Sequence, residues 1–319
     1  MSVGGVANLA HSGLSATVGR QDLVLGDGFL IGDGVRDNKA ALWNIPLNYF
    51  DAARLEWTRG VAHALAFGTV LSSSWYPRGA NVHGRVLGGE AGWAPAPGSD
   101  LTATYLNRAD REHHDAIAYA LRGSWSRGRA SAAGEAVLED GRELGVPLGG
   151  RGGHAWAQLK SAGRLAPFAR VEYFHFSGDD PTTAKNETYD PWFYRWSDWG
   201  HYYVGELVSA TVGDETNMRI WVVQLGATPR AGTDVRLLAH RMNVDTFANL
   251  VKPASGSTRF ADEIDVVLEQ SAGAHWSGWV MGAWATPLDV ARVNIGTASC
   301  GQVFASVTFK FGNATGDSD

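Results

Sequence analysis

Apolar and polar residues alternate along most of this chain in short runs. Val307, Phe309 and Phe311 alternate with Ser306, Thr308 and Lys310, and Ile264, Val266 and Leu268 alternate with Glu263, Asp265 and Glu269. A period of two is the mark of a strand with one apolar and one polar face. Runs of this kind, bounded by turn residues, predict about fourteen strands, near 14–25, 50–58, 62–75, 84–94, 100–107, 115–126, 130–139, 153–161, 167–177, 217–228, 233–243, 261–271, 275–285 and 301–311. No stretch could form a spanning helix, whereas a tilted strand crosses a bilayer with only ~9–11 residues. In lipid every backbone donor and acceptor must be paired within the protein, so a spanning sheet has to close. The pattern predicts an all-β, transmembrane, antiparallel up-and-down β-barrel in a single domain over residues 1–319.

The connections test this expectation independently. Short joins occur from Thr58 to Ala62, Ala94 to Asp100, Ser126 to Ala130, Ser161 to Pro167, Thr228 to Thr233 and Gln270 to His275. They fall at every second connection. The connections Gly26 to Tyr49, Glu139 to Gly152, Gly178 to Thr216, Asn243 to Phe260 and Thr286 to Cys300 are long. Bacterial barrels keep short turns on the periplasmic side and longer loops outside, so this parity orients the barrel in the outer membrane of a Gram-negative cell.

Alternation also separates the faces. The lipid face must be apolar, and the other face lines the interior. Ala53, Leu55 and Trp57 share one face, which sets Arg54 and Glu56 inward. By the same argument Arg122, Lys160, Arg170, Glu172, Arg236, His240, Glu263, Asp265, Glu269 and Lys310 point inward. A lipid-facing Arg or Lys at mid-membrane costs ~2–4 kcal/mol, so the assignment is constrained wherever the strands are. One functional expectation is a pathway whose guanidinium groups attract anionic solutes through paired donors. The alternative is an interior network in which Arg54 with Glu56, or Arg170 with Glu172, neutralise one another and stiffen the wall.

Composition narrows the classes further. Gly reaches 40 residues and Pro only 11, which suits turns, strand bends and close strand packing. The 13 Trp fit rings lining the two membrane interfaces, although they could also fill the core of a soluble β-sandwich or lectin. A net charge of −6 and the lack of any basic run exclude a nucleic-acid partner. The single Cys300 can build neither an internal disulfide nor a thiolate metal site, and His113–His114 reads as a solvated pair, so no metal or cofactor is expected. Met1 to Ser12 shows neither the basic start nor the apolar run of a secretory signal, which implies either that the chain begins inside a longer protein or that the true start lies upstream.

Three stretches carry more than architecture. The first is Gly19-Arg20-Gln21 with Gly26-Asp27-Gly28 and Asp51-Ala52-Ala53-Arg54-Leu55. The second is Ser177-Gly178-Asp179-Asp180-Pro181 with Tyr189-Asp190-Pro191-Trp192, and the third is Trp221 to Pro229 followed by Val235 to Arg241. Together, over about Val18 to Phe311, they resemble the alginate-export family of outer-membrane β-barrels. The resemblance implies a monomeric barrel of about eighteen strands, of which this chain would hold the C-terminal fourteen or so. It also implies passage of an anionic, alginate-like polysaccharide through an Arg/Lys-lined constriction, with periplasmic export partners and outer-membrane lipid as surroundings. Arg20 and Arg54 are the positions that match the family's motifs. Arg20 shares parity with Val18 and would need a bulge or a place at the strand's edge to reach the lumen.

Two further expectations concern alternatives. A selective uptake porin for small organic anions or oligosaccharides would share this barrel. An outer-membrane enzyme is disfavoured, because neither Gly-x-Ser-x-Gly nor His-Glu-x-x-His spacing occurs. The connection from Gly178 to Thr216, rich in Asp, Trp and Tyr, reads either as an outside loop with solvated acids or as a lid folding into the pore mouth.

Overall fold

The computed structural model describes residues 5–9, 13–21, 23–32, 50–71, 84–110, 114–193, 207–208, 216–248, 250, 256–273, 275–309 and 311. Its strands are β1 (Gly5–Leu9), β2 (Leu14–Gln21), β3 (Phe50–Arg59), β4 (Ala62–Leu71), β5 (Gly84–Trp93), β6 (Ser99–Asp110), β7 (His114–Arg127), β8 (Ala130–Glu143), β9 (Val146–Pro147) and β10 (Arg151–Lys160). There follow β11 (Phe168–Phe176), β12 (Met218–Arg230), β13 (Thr233–Val244), β14 (Arg259–Ala272), β15 (Trp276–Pro287), one short helix α1 (Asp289–Asn294) and β16 (Cys300–Phe309).

Every strand expected from alternation is present, and each pairs antiparallel with its neighbour in sequence order. The two-residue β9 lies off the path, folding back onto the end of β8. The short strand β1 falls in the stretch where no strand is expected, and it pairs with β2 from Gly5 opposite Val18 to Leu9 opposite Leu14. Among the described residues no ladder joins β1 to β16, so these are the two edges of the sheet. Lys310, His113 and the polar tail 312–319 lie outside the described residues.

Period-two burial separates two faces along nearly every strand. On β15, Trp276, Val280 and Trp284 are exposed while Met281, Ala283 and Ala285 are buried; on β14, Ile264, Val266 and Leu268 are exposed while Glu263, Asp265 and Val267 are buried. The apolar row is the one left uncovered by protein. That inversion is required of a sheet whose outer face meets lipid and whose inner face meets the rest of the chain.

The outer aromatic residues form two bands. Trp93, Trp125, Trp276 and Phe309 stand exposed near the short-turn ends, and Trp221 and Trp284, with the half-buried Tyr173, toward the long-loop ends. Trp276 packs against Phe309 with ring centroids 4.5 Å apart, and Tyr173 against Trp221 at 4.7 Å. These bands fit interfacial girdles, where an amphipathic ring keeps its body in hydrocarbon and its polar edge near water.

The interior is not an empty tube. Segment 23–32 folds inward, burying Leu23, Leu25, Phe29, Leu30 and Ile31. A second inward segment brings Tyr189, Trp192 and Phe193 against it. The two are tied by backbone bonds, with Gly32 N donating to Phe193 O at 3.1 Å and Phe193 N to Leu30 O at 2.8 Å. Phe29 sits between the His154 ring, at 4.9 Å, and the Phe176 ring, at 5.8 Å. These contacts make the buried core of the protein, and it lies inside the sheet at the long-loop end.

Candidate functional site: the charged interior wall

Parity and pairing carry four arginines to the inner face, Arg54 on β3, Arg122 on β7, Arg170 on β11 and Arg236 on β13. Arg122, Arg170 and Arg236 lie in the short-turn half of their strands and Arg54 at the middle of β3. Each has an acidic partner. Arg54 Nε lies 3.5 Å from Glu56 Oε1, and Arg236 donates to Glu269 at 3.2 Å. Arg170 grips Glu172 with Nε and a terminal nitrogen at 3.0 and 2.7 Å, and its guanidinium carbon stands 4.0 Å from the centre of the Trp156 ring. Arg122 Nε donates to Asp27 Oδ1 at 2.6 Å, and its terminal nitrogen lies 3.5 Å from Asp100.

The centre of the arrangement is a continuous charged chain. Glu172 accepts from His154 Nδ1 at 2.7 Å, and His154 Nε2 contacts Asp27 Oδ2 at 2.8 Å. Arg170, Glu172, His154, Asp27, Arg122 and Asp100 are thereby linked from β11 to β6 through a residue of the infolded segment. Register explains why they meet: Glu135 of β8 is directly opposite both Arg122 of β7 and His154 of β10. Two carboxylates on the two imidazole nitrogens require both nitrogens to donate, which makes the His154 ring a cation in this arrangement.

Carboxylates on the wall also hold the infolded backbone. Glu90 accepts from Gly26 N at 2.8 Å and Glu135 from Asp27 N at 2.6 Å. Glu139 accepts from Asp190 N at 2.9 Å, and Glu263 accepts from Leu207 N and Val208 N at 2.9 and 3.1 Å. Backbone amides entering an interior need partners, and ionised acceptors are the strong ones. Arg108, almost wholly buried, pairs with Asp110 at 3.1 Å and Asp190 at 3.5 Å and lies over the Trp192 and Phe193 rings.

The remaining expected residues divide. Glu56, Glu172 and Asp265 face inward with the arginines; Asp265 is fully buried, 3.7 Å from His240 Nδ1. Lys160 has inward parity but stands exposed at the short-turn rim. Arg20 is a correction: it lies on the outer face, in a two-pronged pair with Asp51 at 3.0 and 3.1 Å. No bulge turns it inward, because β2 runs in unbroken register with β3 from Leu14 to Gln21. A motif match had placed it in the lumen; strand parity puts it beside Val18.

His154, Glu135, Glu90 and Asp100 belong to this wall, Asp27 reaches it from the infolded segment, and none of them was expected as a pore-lining residue from the sequence. His154 could have been found by parity with Lys160. Asp27 sits in a loop with no period to read.

No family model and no curated protein sequence matches the chain. Solved structures do. The chain is similar to OccK5 (OpdH) of Pseudomonas aeruginosa, with a TM-score of 0.60, 14% identity, and coverage of 97% of this chain and 81% of that one. It is also similar to the outer membrane protein OprD of P. aeruginosa, with a TM-score of 0.57, 10% identity, and coverage of 93% and 74%. OccAB1 of Acinetobacter baumannii aligns with a TM-score of 0.57, 9% identity, and coverage of 93% and 73%. The fold is that of an outer-membrane porin-type β-barrel. With its uncovered apolar band and two aromatic girdles, such a barrel resides in the Gram-negative outer membrane. The resemblance to the alginate-export family is corrected by these matches, since the similar porin-type structures are Occ and OprD barrels and not alginate exporters.

Proposed function

We propose that this protein is a monomeric, selective uptake channel for small organic solutes bearing a carboxylate, and that it performs no catalysis. The supporting observation is the inner wall. Arg54, Arg122, Arg170 and Arg236 stand on it from mid-strand toward the short-turn end, each held beside an acid, while infolded segments pack the long-loop end. An interior so occupied favours small solutes over a polymer.

Arginine offers a planar set of donors that a carboxylate engages in pairs. The neighbouring Glu and Asp keep the wall from being a strongly cationic sink, since conduction needs a site favourable enough to enter and weak enough to leave. The paired acids also fix each guanidinium in place, so the structural role and the conducting role coexist in the same side chains.

The test is ion selectivity and block of the refolded protein in planar lipid bilayers. Succinate is the charged probe and glycerol the neutral one. A conducting pore that succinate blocks and glycerol does not supports the reading. The double variant Arg54→Glu, Arg122→Glu should lose the block. Equal conductance and block in that variant would leave the arginines as wall structure only.

A further inference from the structure

The carboxylate of Asp27 belongs to the infolded segment, not to the wall, yet it occupies the one place where Arg122 and His154 converge. Its two oxygens are divided between them, 2.6 Å from Arg122 Nε and 2.8 Å from His154 Nε2. A free carboxylate in the pore would take the same two donors. We propose that Arg122 and His154 form a carboxylate-binding site and that Asp27 is its built-in occupant, a latch that a solute's own carboxylate displaces. This rests on the channel reading above and adds its gate.

The segment is built to release one part and keep the other. Leu30 and Gly32 are fixed by backbone bonds to residue 193, Ile31 by its burial between them, and Phe29 by its stacking on His154 and Phe176 and by the Tyr189 hydroxyl, which donates to Phe29 O at 2.8 Å. The tip has a different character. Asp27 stands between Gly26 and Gly28, both in the left-handed region at φ 56° and 86°, and its bonds among the described residues are polar, to Glu135, Arg122 and His154. Glycine on both sides lets the tip change direction without the steric cost another residue would meet. Gly26 also has no room for a side chain, because a Cβ there would come within 2.5 Å of the Glu135 carboxylate.

Exchange of one carboxylate for another leaves no buried charge bare. With Asp27 withdrawn and nothing in its place, Arg122 would lose its closest partner and keep the longer contact with Asp100, and His154 would keep one of its two bonded carboxylates, Glu172. An arriving carboxylate restores both contacts, so displacement is coupled to solute binding; a neutral solute offers no such compensation. A latch closed about nine-tenths of the time lowers apparent affinity about tenfold, because only the open fraction is competent.

The experiment compares succinate block in wild type, Asp27→Ala and Asp27→Asn in planar bilayers, with glycerol as the neutral probe. The expected result is a gain in succinate affinity of at least about fivefold in Asp27→Ala, a smaller gain in Asp27→Asn, and no gain for glycerol. Adding His154→Gln to Asp27→Ala should reverse much of the gain, since it removes the ring's charge from the vacated site. A wild-type pore that succinate blocks, with block unchanged or weaker in both Asp27 variants, overturns the latch and leaves the channel reading standing. Equal gains for succinate and glycerol also overturn it, because the substitution would then only widen the pore. Wild-type protein that neither conducts nor is blocked overturns the channel reading and the latch with it.

Discussion

Val280 on β15 offers a direct test of which face meets lipid. It lies four residues from Trp276 and four from Trp284 on the same outward row, and all three side chains are exposed. At ~3.3 Å per residue and a tilt near 40°, each interval corresponds to ~10 Å of depth, so Val280 lies near the middle of a band about 20 Å deep between the girdles. Val280→Arg should therefore destabilise the folded barrel by about 2–4 kcal/mol, the cost of a guanidinium at the bilayer midplane. The same change at the exposed Ile295, past α1 in the long connection before β16, should cost under about 0.5 kcal/mol. The assay is a urea titration of protein refolded into lipid vesicles, followed by tryptophan fluorescence, with the slope of the transition compared between variants. A Val280→Arg protein within about 0.5 kcal/mol of wild type would refute the argument, because the outward row would then face water and the whole inside–outside assignment would invert.

Arg170→Ala should cost about 3 kcal/mol in the same titration, since it leaves the buried Glu172 with His154 as its remaining cation; a cost under 1 kcal/mol would show that the pair is dispensable. Tyr189→Phe removes the hydroxyl that donates to Phe29 O and should cost about 1 kcal/mol, measured in the same way. At the loop-side rim, burial raises the Asp245 carboxyl, but hydrogen bonds from His175 and Gly178 N and the charge of Arg219 outweigh it and hold the group below its ordinary value of 3.8. A depressed folded value means that this stabilisation is complete above the unfolded carboxyl's pKa and is lost as pH falls through the folded one. Proteolysis of the 177–217 and 245–258 connections should therefore accelerate below about pH 4 in wild type, while Asp245→Asn should show faster cleavage at neutral pH and a smaller further change on acidification, the part that Asp180 and Glu187 still contribute.

The barrel was legible in the sequence because a strand facing lipid on one side and a polar interior on the other must alternate, and that alternation is local. It located the strands, their order through turn parity, and the inward direction of Arg54, Glu56, Arg122, Arg170, Glu172, Arg236 and Asp265. Parity also ranks above motif: Arg20 matched a family motif yet stands on the outer face with Asp51. The strand β1 escaped notice because five residues are too few to display a period, and α1 because six residues show less than two turns of a helical face.

In the connection 178–216, whose residues 194–206 and 209–215 lie outside the described residues, the described part divides in two. Asp180 and Glu187 remain solvated, with hydroxyl and amide donors from the loop itself holding both carboxyls below their ordinary values. Tyr189, Trp192 and Phe193 instead turn inside. The sequence by itself determined the wall, its orientation and which wall residues face inward. Only the tertiary structure decided what fills the interior and which charges meet. Asp27 reaches His154 across 127 residues of chain and Tyr189 reaches Phe29 across 160. Such contacts depend on how a loop without a period folds into the curve of the sheet, and no local pattern records that path.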